Sequence, residues 1–198
     1  MAAHSFGKAE DKTMRAGSPG GSSMPASTLW IMLLTLASTA TTLLLACATP
    51  FTALAALAAT QMRARDGIML MIAAWAASQI VGFCVLDYPR DASTFAWAVA
   101  LGSAAIACVI SARAAGERLG GHSPALRIAG AYLAATIAFK LAILLWSLGL
   151  GGVETALSPS INLRQMVRNG AILIGLYALY RSLRAAGLPA APRGAATA

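Results

Sequence analysis

No charged side chain occurs in residues 29–62, and most side chains there are apolar. A stretch of about 20 apolar residues crosses a ~30 Å hydrocarbon slab as a helix. One helix over 29–62 would be roughly 50 Å long at about 1.5 Å per residue and would overshoot that slab. Pro50 divides the run, because proline lacks a backbone donor and clashes with the preceding turn. The pattern predicts a spanning helix over 29–47 and a shorter one over 51–62, with a single tilted, kinked helix as the alternative. Further apolar segments lie at 67–86, 94–113, 125–149 and 161–183, separated by short loops containing Pro89, Gly120, Gly121, Pro124, Gly151, Gly152 and Pro159. The chain reads as an all-α polytopic membrane protein with six transmembrane helices, five if 29–62 is one kinked helix.

Composition agrees: 58% of residues are apolar and 11% charged, against roughly 25% charged in soluble domains. In a soluble chain the net charge of +8 would suggest a nucleic-acid partner. Here the basic residues form no stripe and are not interleaved with aromatics, so no nucleic acid is expected. Their distribution reports topology instead, since short cytoplasmic loops collect Lys and Arg. Arg63 and Arg65 fall in one loop, Arg113, Arg118 and Arg127 in the next on that side, and Arg181, Arg184 and Arg193 at the C-terminal end. The opposite loops hold Asp87, Arg90 and Asp91, and Glu154. This predicts a multi-pass protein of the bacterial inner (cytoplasmic) membrane with both termini cytoplasmic. Residues 1–27 mix Gly, Ser, Pro and charges of both signs and are expected to be a disordered cytoplasmic tail. Residues 28–185 form a single transmembrane domain, and 186–198 a flexible cytoplasmic tail. Ala46-Cys47-Ala48 has the small-x-small form of a cleavage site, but the polar stretch before the apolar run is long for a leader and the run continues past the cut.

Chemistry-bearing residues are few. No HExxH, GxSxG, Walker or GxGxxG pattern occurs, and the two histidines are His4 and His122. Ala37/Thr41, Ala55/Ala59 and Ala73/Ala77 have the small-xxx-small spacing that lets helices approach closely in lipid. Cys84 stands at the outer end of the third helix, one turn before a loop carrying Asp87, Tyr88, Arg90 and Asp91. It is either a soft ligand for a metal of borderline or soft character or a small buried hydrophobe; Cys47 and Cys108 lack polar company and read as structural. Arg164 and Arg168, four apart, share a helix face on the side that the charge rule leaves poor in arginine. They either pair with Asp87, Asp91 or Glu154, or receive an anionic ligand in a planar bidentate fork. Lys140, near the middle of the fifth helix, is costly in lipid and belongs to the bundle interior or a wet cavity.

Gly82-Phe83-Cys84-Val85-Leu86-Asp87-Tyr88-Pro89, with Gln79 before it and Thr94, Trp97 and Gly102 after it, resembles the BtuM family of bacterial cobalamin (vitamin B12) transporters. The resemblance implies a bundle like the substrate-binding S-components of energy-coupling-factor transporters, with a ligand pocket open to the outside. It implies that Cys84 binds the cobalt of the corrin ring in place of the lower nucleotide base. The same thiol would be the catalytic group in an accessory, thiol-dependent decyanation of cyanocobalamin. Cobalamin is then the transported substrate, and an energy-coupling transmembrane and ATPase module a partner beside the lipid bilayer. Asp87, Tyr88, Arg164 and Arg168 join the corrinoid-binding candidates by location, the two arginines toward the phosphodiester of the nucleotide loop. Trp97, with Trp75 and Phe83, would supply the apolar wall a corrinoid needs. Two competing readings are a noncatalytic small membrane subunit or assembly factor of a larger complex, and a membrane enzyme using Cys84 as nucleophile. The latter lacks a histidine base near the outer surface.

Overall fold

The computed structural model describes residues 26–44 and 50–189, with side chains of 41–44 left aside. The described residues are all helical or loop: α1 (Ala26–Leu44), α2 (Phe51–Gln61), α3 (Ala64–Cys84), α4 (Ala92–Arg118), α5 (Pro124–Leu150), α6 (Val153–Leu157) and α7 (Pro159–Ala185). Cys47 and the stretches 1–25 and 190–198 lie outside the described residues. Three helices, α3, α4 and α5, are long and apolar enough to cross a membrane, and α1 and α2 are shorter apolar helices. With 27 residues α7 matches α4 and α5 in length, but Arg164, Arg168, Arg181 and Arg184, with Asn162, Gln165 and Asn169, make it much more polar. The architecture is that of a helical membrane bundle.

The break at Pro50 is a helix start. Pro50 stands at the N-cap of α2 with φ −83°, and its carbonyl accepts from Leu54 N at 2.9 Å. A proline there forfeits no hydrogen bond, because the first N–H groups of a helix have no intrahelical partner. Of the two readings of 29–62, the hairpin is the one found. Trp30, in the first turns of α1, packs its ring 4.7 Å from that of Tyr180 in α7, and Gln61, at the end of α2, lines a cleft with the same Tyr180. The two helices thus run in opposite directions from one end of the bundle. At about 1.5 Å per residue, α2 is only roughly 16 Å long and begins deep in the bundle, with the Phe51 ring 6.4 Å from that of Phe139 in α5.

This short helix is the hub. Every residue of 51–58 is buried, and α2 packs against α3, α4, α5 and α7. Its sequence explains why: Ala53, Ala55, Ala56 and Ala58, each 0% exposed, let neighbouring backbones close in from all sides, which is how helices associate in lipid. The α4–α5 pair uses the same device. Ala104, Cys108 and Ala112 form a buried stripe at four-residue spacing opposite Ala131 and Ala135, and Cys108 Sγ donates to the Ala135 carbonyl at 3.4 Å. Between α3 and α4, Trp75 lies on Gly102, where an added Cβ would meet the indole at 3.1 Å. Its Nε1 donates to the Ala98 carbonyl at 2.9 Å.

Outward faces carry the opposite pattern. Ile137, Leu141, Leu145 and Leu148 are exposed along α5 and offer an apolar stripe suited to lipid. Two features departed from the sequence expectation. Gly151 and Gly152, at φ +88° and +89°, turn the chain into α6, a five-residue helix too short to leave a periodic signature. Beyond α7, residues 186–189, assigned to the C-terminal tail, fold back: Leu188 packs on the core, and Trp30 Nε1 donates to the Pro189 carbonyl at 2.9 Å.

Candidate functional site

The segment that drew attention in the sequence forms the α3–α4 turn. Helix α3 ends at Cys84, whose side chain is exposed. The chain then closes tightly over the last turn: Leu86 N donates to Val81 O at 3.0 Å and Tyr88 N to Gly82 O at 3.1 Å. Asp87 takes a positive φ of 48°, a conformation that Asp and Asn tolerate better than other side chains. Gly82 is required here, because a Cβ would sit 2.8 Å from the Tyr88 ring. Tyr88 in turn meets Phe83 edge-on at 6.3 Å, and Phe83 stacks on Phe95 at 5.2 Å. The exposed thiol of Cys84 thus follows, one residue along the chain, the first of three clustered aromatic rings. Asp91 starts α4, accepting from Thr94 N at 2.7 Å; that backbone bond and the Thr94 hydroxyl hold its carboxyl below the ordinary carboxylate range.

The two arginines are elsewhere, and they separate. Arg164 is exposed on α7, whereas Arg168 turns into an interior cavity of about 160 Å³ between α2, α5 and α7. Lys140 lines the same cavity, with Thr52, Tyr132, Thr136, Gln165 and Asn169. Lys140 Nζ donates to Gln165 Oε1, Asn169 Nδ2 to the Gln165 carbonyl at 2.9 Å, and Tyr132 OH to the Met166 carbonyl at 2.5 Å. Among the described residues the ion pair found is Arg113–Glu117 at 3.0 Å. The expected alternative, in which Arg164 and Arg168 pair with Asp87, Asp91 or Glu154, is therefore not what forms.

At the far end a cleft of about 610 Å³ is lined by Arg127, Arg181 and Arg184 with Gln61, Tyr177 and Tyr180. Arg113 joins this end by donating to the Met62 carbonyl at 3.5 Å, and Arg63 and Arg65 follow Met62 in the chain. Loop arginines scattered through the sequence thus gather on one face of the bundle.

Of the six residues singled out in the sequence, Cys84, Asp87 and Tyr88 are brought together in the α3–α4 turn. Trp97, two residues beyond Phe95, is half-buried on α4. Arg168 belongs to the interior cavity, and Arg164 lines neither cavity. Trp75, expected in a ligand wall, is instead engaged in holding α3 to α4. The sequence reading missed Phe95, which completes the aromatic cluster and whose signal was its place twelve residues after Phe83. It also missed the convergence of Lys140 with Arg168, 28 positions apart, which no local spacing encodes. No protein-family model, no curated protein and no solved structure matches the chain.

Proposed function

We propose that this chain is a cobalamin-uptake protein of the bacterial inner membrane, with both termini cytoplasmic, that binds the corrinoid at the α3–α4 end with Cys84 Sγ as axial ligand of cobalt. The observation that carries the reading is the exposed thiol of Cys84 at the helix end, next in sequence to Phe83, whose ring stacks on Phe95, inside the motif that resembles the BtuM family. A corrin is a broad, largely apolar disc, and aromatic faces are its natural floor. The interior cavity of about 160 Å³ is below the roughly 300–1,000 Å³ of ordinary small-molecule pockets, so the ring is assigned to the open α3–α4 end. The arginine-rich face is assigned to the cytoplasm by the positive-inside rule. With no nucleotide-binding loop in this chain, uptake draws its energy from a coupling partner, for which a transmembrane and ATPase module is the expected type.

The chemistry follows from the ligand exchange. Cys84 loses its proton to solvent on coordination, as metal-bound thiols do, and its sulfur replaces the lower nucleotide base. A strongly donating thiolate weakens the bond on the opposite side of cobalt. Cyanide then leaves as CN⁻ with the bonding pair, so this step changes no oxidation state; later reduction of cobalt would require an external thiol. Asp87 and Tyr88, fixed in the same turn, border the ligand without entering the exchange.

The test is the visible spectrum of the purified protein with cyanocobalamin. The parent protein is expected to give a band pattern distinct from free cyanocobalamin and to release cyanide, and Cys108→Ala to match it. Cys84→Ala should lose both the altered spectrum and the cyanide release. Identical spectra and rates for the parent and Cys84→Ala would overturn sulfur ligation.

A further inference from the structure

The interior cavity joins Arg168 to Lys140, a residue to which the corrinoid reading gives no role. Lys140 and Arg168 face the same cavity of about 160 Å³, and no carboxylate lines it. Both side chains are half-buried, and two like charges sharing one cavity of a membrane bundle are costly unless something compensates them. One neutral partner is visible, the Gln165 amide oxygen that accepts from Lys140. Against this, Arg168 Nε is buried with no hydrogen-bond partner among the described residues.

A second, independent observation points at the same space. Helix α2 begins here, deep in the bundle, with no side-chain cap, and both Phe51 and Thr52 of its first turn line the cavity. The start of a helix carries free N–H groups and the positive end of the helix dipole. Thr52 is 5% exposed, and its hydroxyl stands against the Tyr132 hydroxyl on the wall of this cavity. A half-length helix whose N-terminus opens at mid-bundle is a recurrent way to hold an anionic group within a membrane. The remaining wall, Phe51, Leu101, Phe139 and Met166, keeps the local dielectric low and strengthens each charge-assisted hydrogen bond.

We propose that this cavity is a binding site for a phosphate-type oxyanion, held by the Arg168 guanidinium, Lys140 Nζ, the Thr52 hydroxyl and the first turn of α2. A cavity of this size takes one tetrahedral oxyanion and a few waters, since a water's share of liquid is about 30 Å³. Arginine supplies planar two-point donation to phosphate and lysine a point charge. The oxyanion has two possible sources: free inorganic phosphate, or the phosphodiester of a larger ligand reaching in from the open end. The site stands on its own geometry, and ligation of cobalt by Cys84 is neither required by it nor implied.

The experiment is thermal unfolding of the full chain in neutral detergent, with sodium phosphate or sodium sulfate set against sodium chloride at equal ionic strength. The parent protein is expected to be stabilised by phosphate and sulfate and not by chloride, with a saturable dose response. Arg168→Gln should weaken the apparent affinity by roughly tenfold or more, the loss typical of one buried charge-assisted contact. Lys140→Met keeps the volume and removes a half-buried charge from beside Arg168, so in chloride it should unfold at the parent's temperature or above it, while losing the phosphate response. Adding cobalamin tells the sources apart. Competition with phosphate assigns the site to the phosphodiester, and additive stabilisation assigns it to a free oxyanion; either outcome supports an oxyanion site. Equal stabilisation of the parent by phosphate and chloride would overturn it, as would an unchanged phosphate response in both variants.

Discussion

At the scale of single residues the α3–α4 turn is a chain of small constraints that leave one thiol outside. Gly82 admits the Tyr88 ring, at 2.8 Å from where a Cβ would stand; Tyr88 braces Phe83, and Cys84 follows at the helix end. Gly82→Ala is therefore expected to push Tyr88 aside and to lower stability by about 1–3 kcal/mol, the cost of overpacking. Thermal unfolding in detergent checks the stability, and ring-proton shifts of Tyr88 and Phe83 check the displacement. Asp91 yields a pH prediction. Its folded-state pKa lies below the ordinary carboxylate value because Thr94 donates to it. Its contribution to starting α4 is then fully present above the unfolded pKa of about 3.9 and is lost as pH falls through the lower folded value. The amide shift of Thr94 followed against pH should have its midpoint below that of an unfolded-chain aspartate. A midpoint at or above it would mean that the cap is not formed.

At the scale of elements the distinction that matters is between α2, buried all round, and the long helices that keep one face for lipid. Ala56 is 0% exposed at the centre of the bundle, while Leu145 is 70% exposed on α5. Ala56→Leu should cost about 1–3 kcal/mol through overpacking, whereas Leu145→Ala should change stability by less than about 0.5 kcal/mol, as surface changes usually do. Reversed sensitivities in unfolding measurements would mean that α2 is not the hub. The sequence located these helices well because uncharged runs and prolines are local signals: Pro50 opens α2, and Pro124 and Pro159 open α5 and α7. It could not say which helix is central. A run such as Ala53-Leu54-Ala55-Ala56-Leu57-Ala58 is apolar on every side, and an apolar face turned to lipid reads the same as one turned to protein. The candidate site divides similarly. The cluster of Cys84, Asp87 and Tyr88 was legible because it is contiguous in the chain. The partnership of Lys140 with Arg168 was not, because it depends on how α5 and α7 stand across the start of α2.

At the scale of the whole molecule two ends differ in chemistry. One gathers Arg113, Arg127, Arg181 and Arg184 around the bases of α2, α4, α5 and α7; the other carries Cys84, the aromatic cluster, Asp87, Asp91 and Glu154. If the first faces the cytoplasm, reporter fusions at Ala16 and Ala190 should both report a cytoplasmic location, and a periplasmic result at either would reverse the orientation proposed for the Cys84 end. The central claim, a bond between the Cys84 sulfur and cobalt, is tested most directly by X-ray absorption at the cobalt edge of the purified protein loaded with cobalamin. The account predicts a sulfur scatterer in the first coordination shell of the parent protein and its loss in Cys84→Ala. A first shell of nitrogen, carbon and oxygen alone in the parent protein would contradict it.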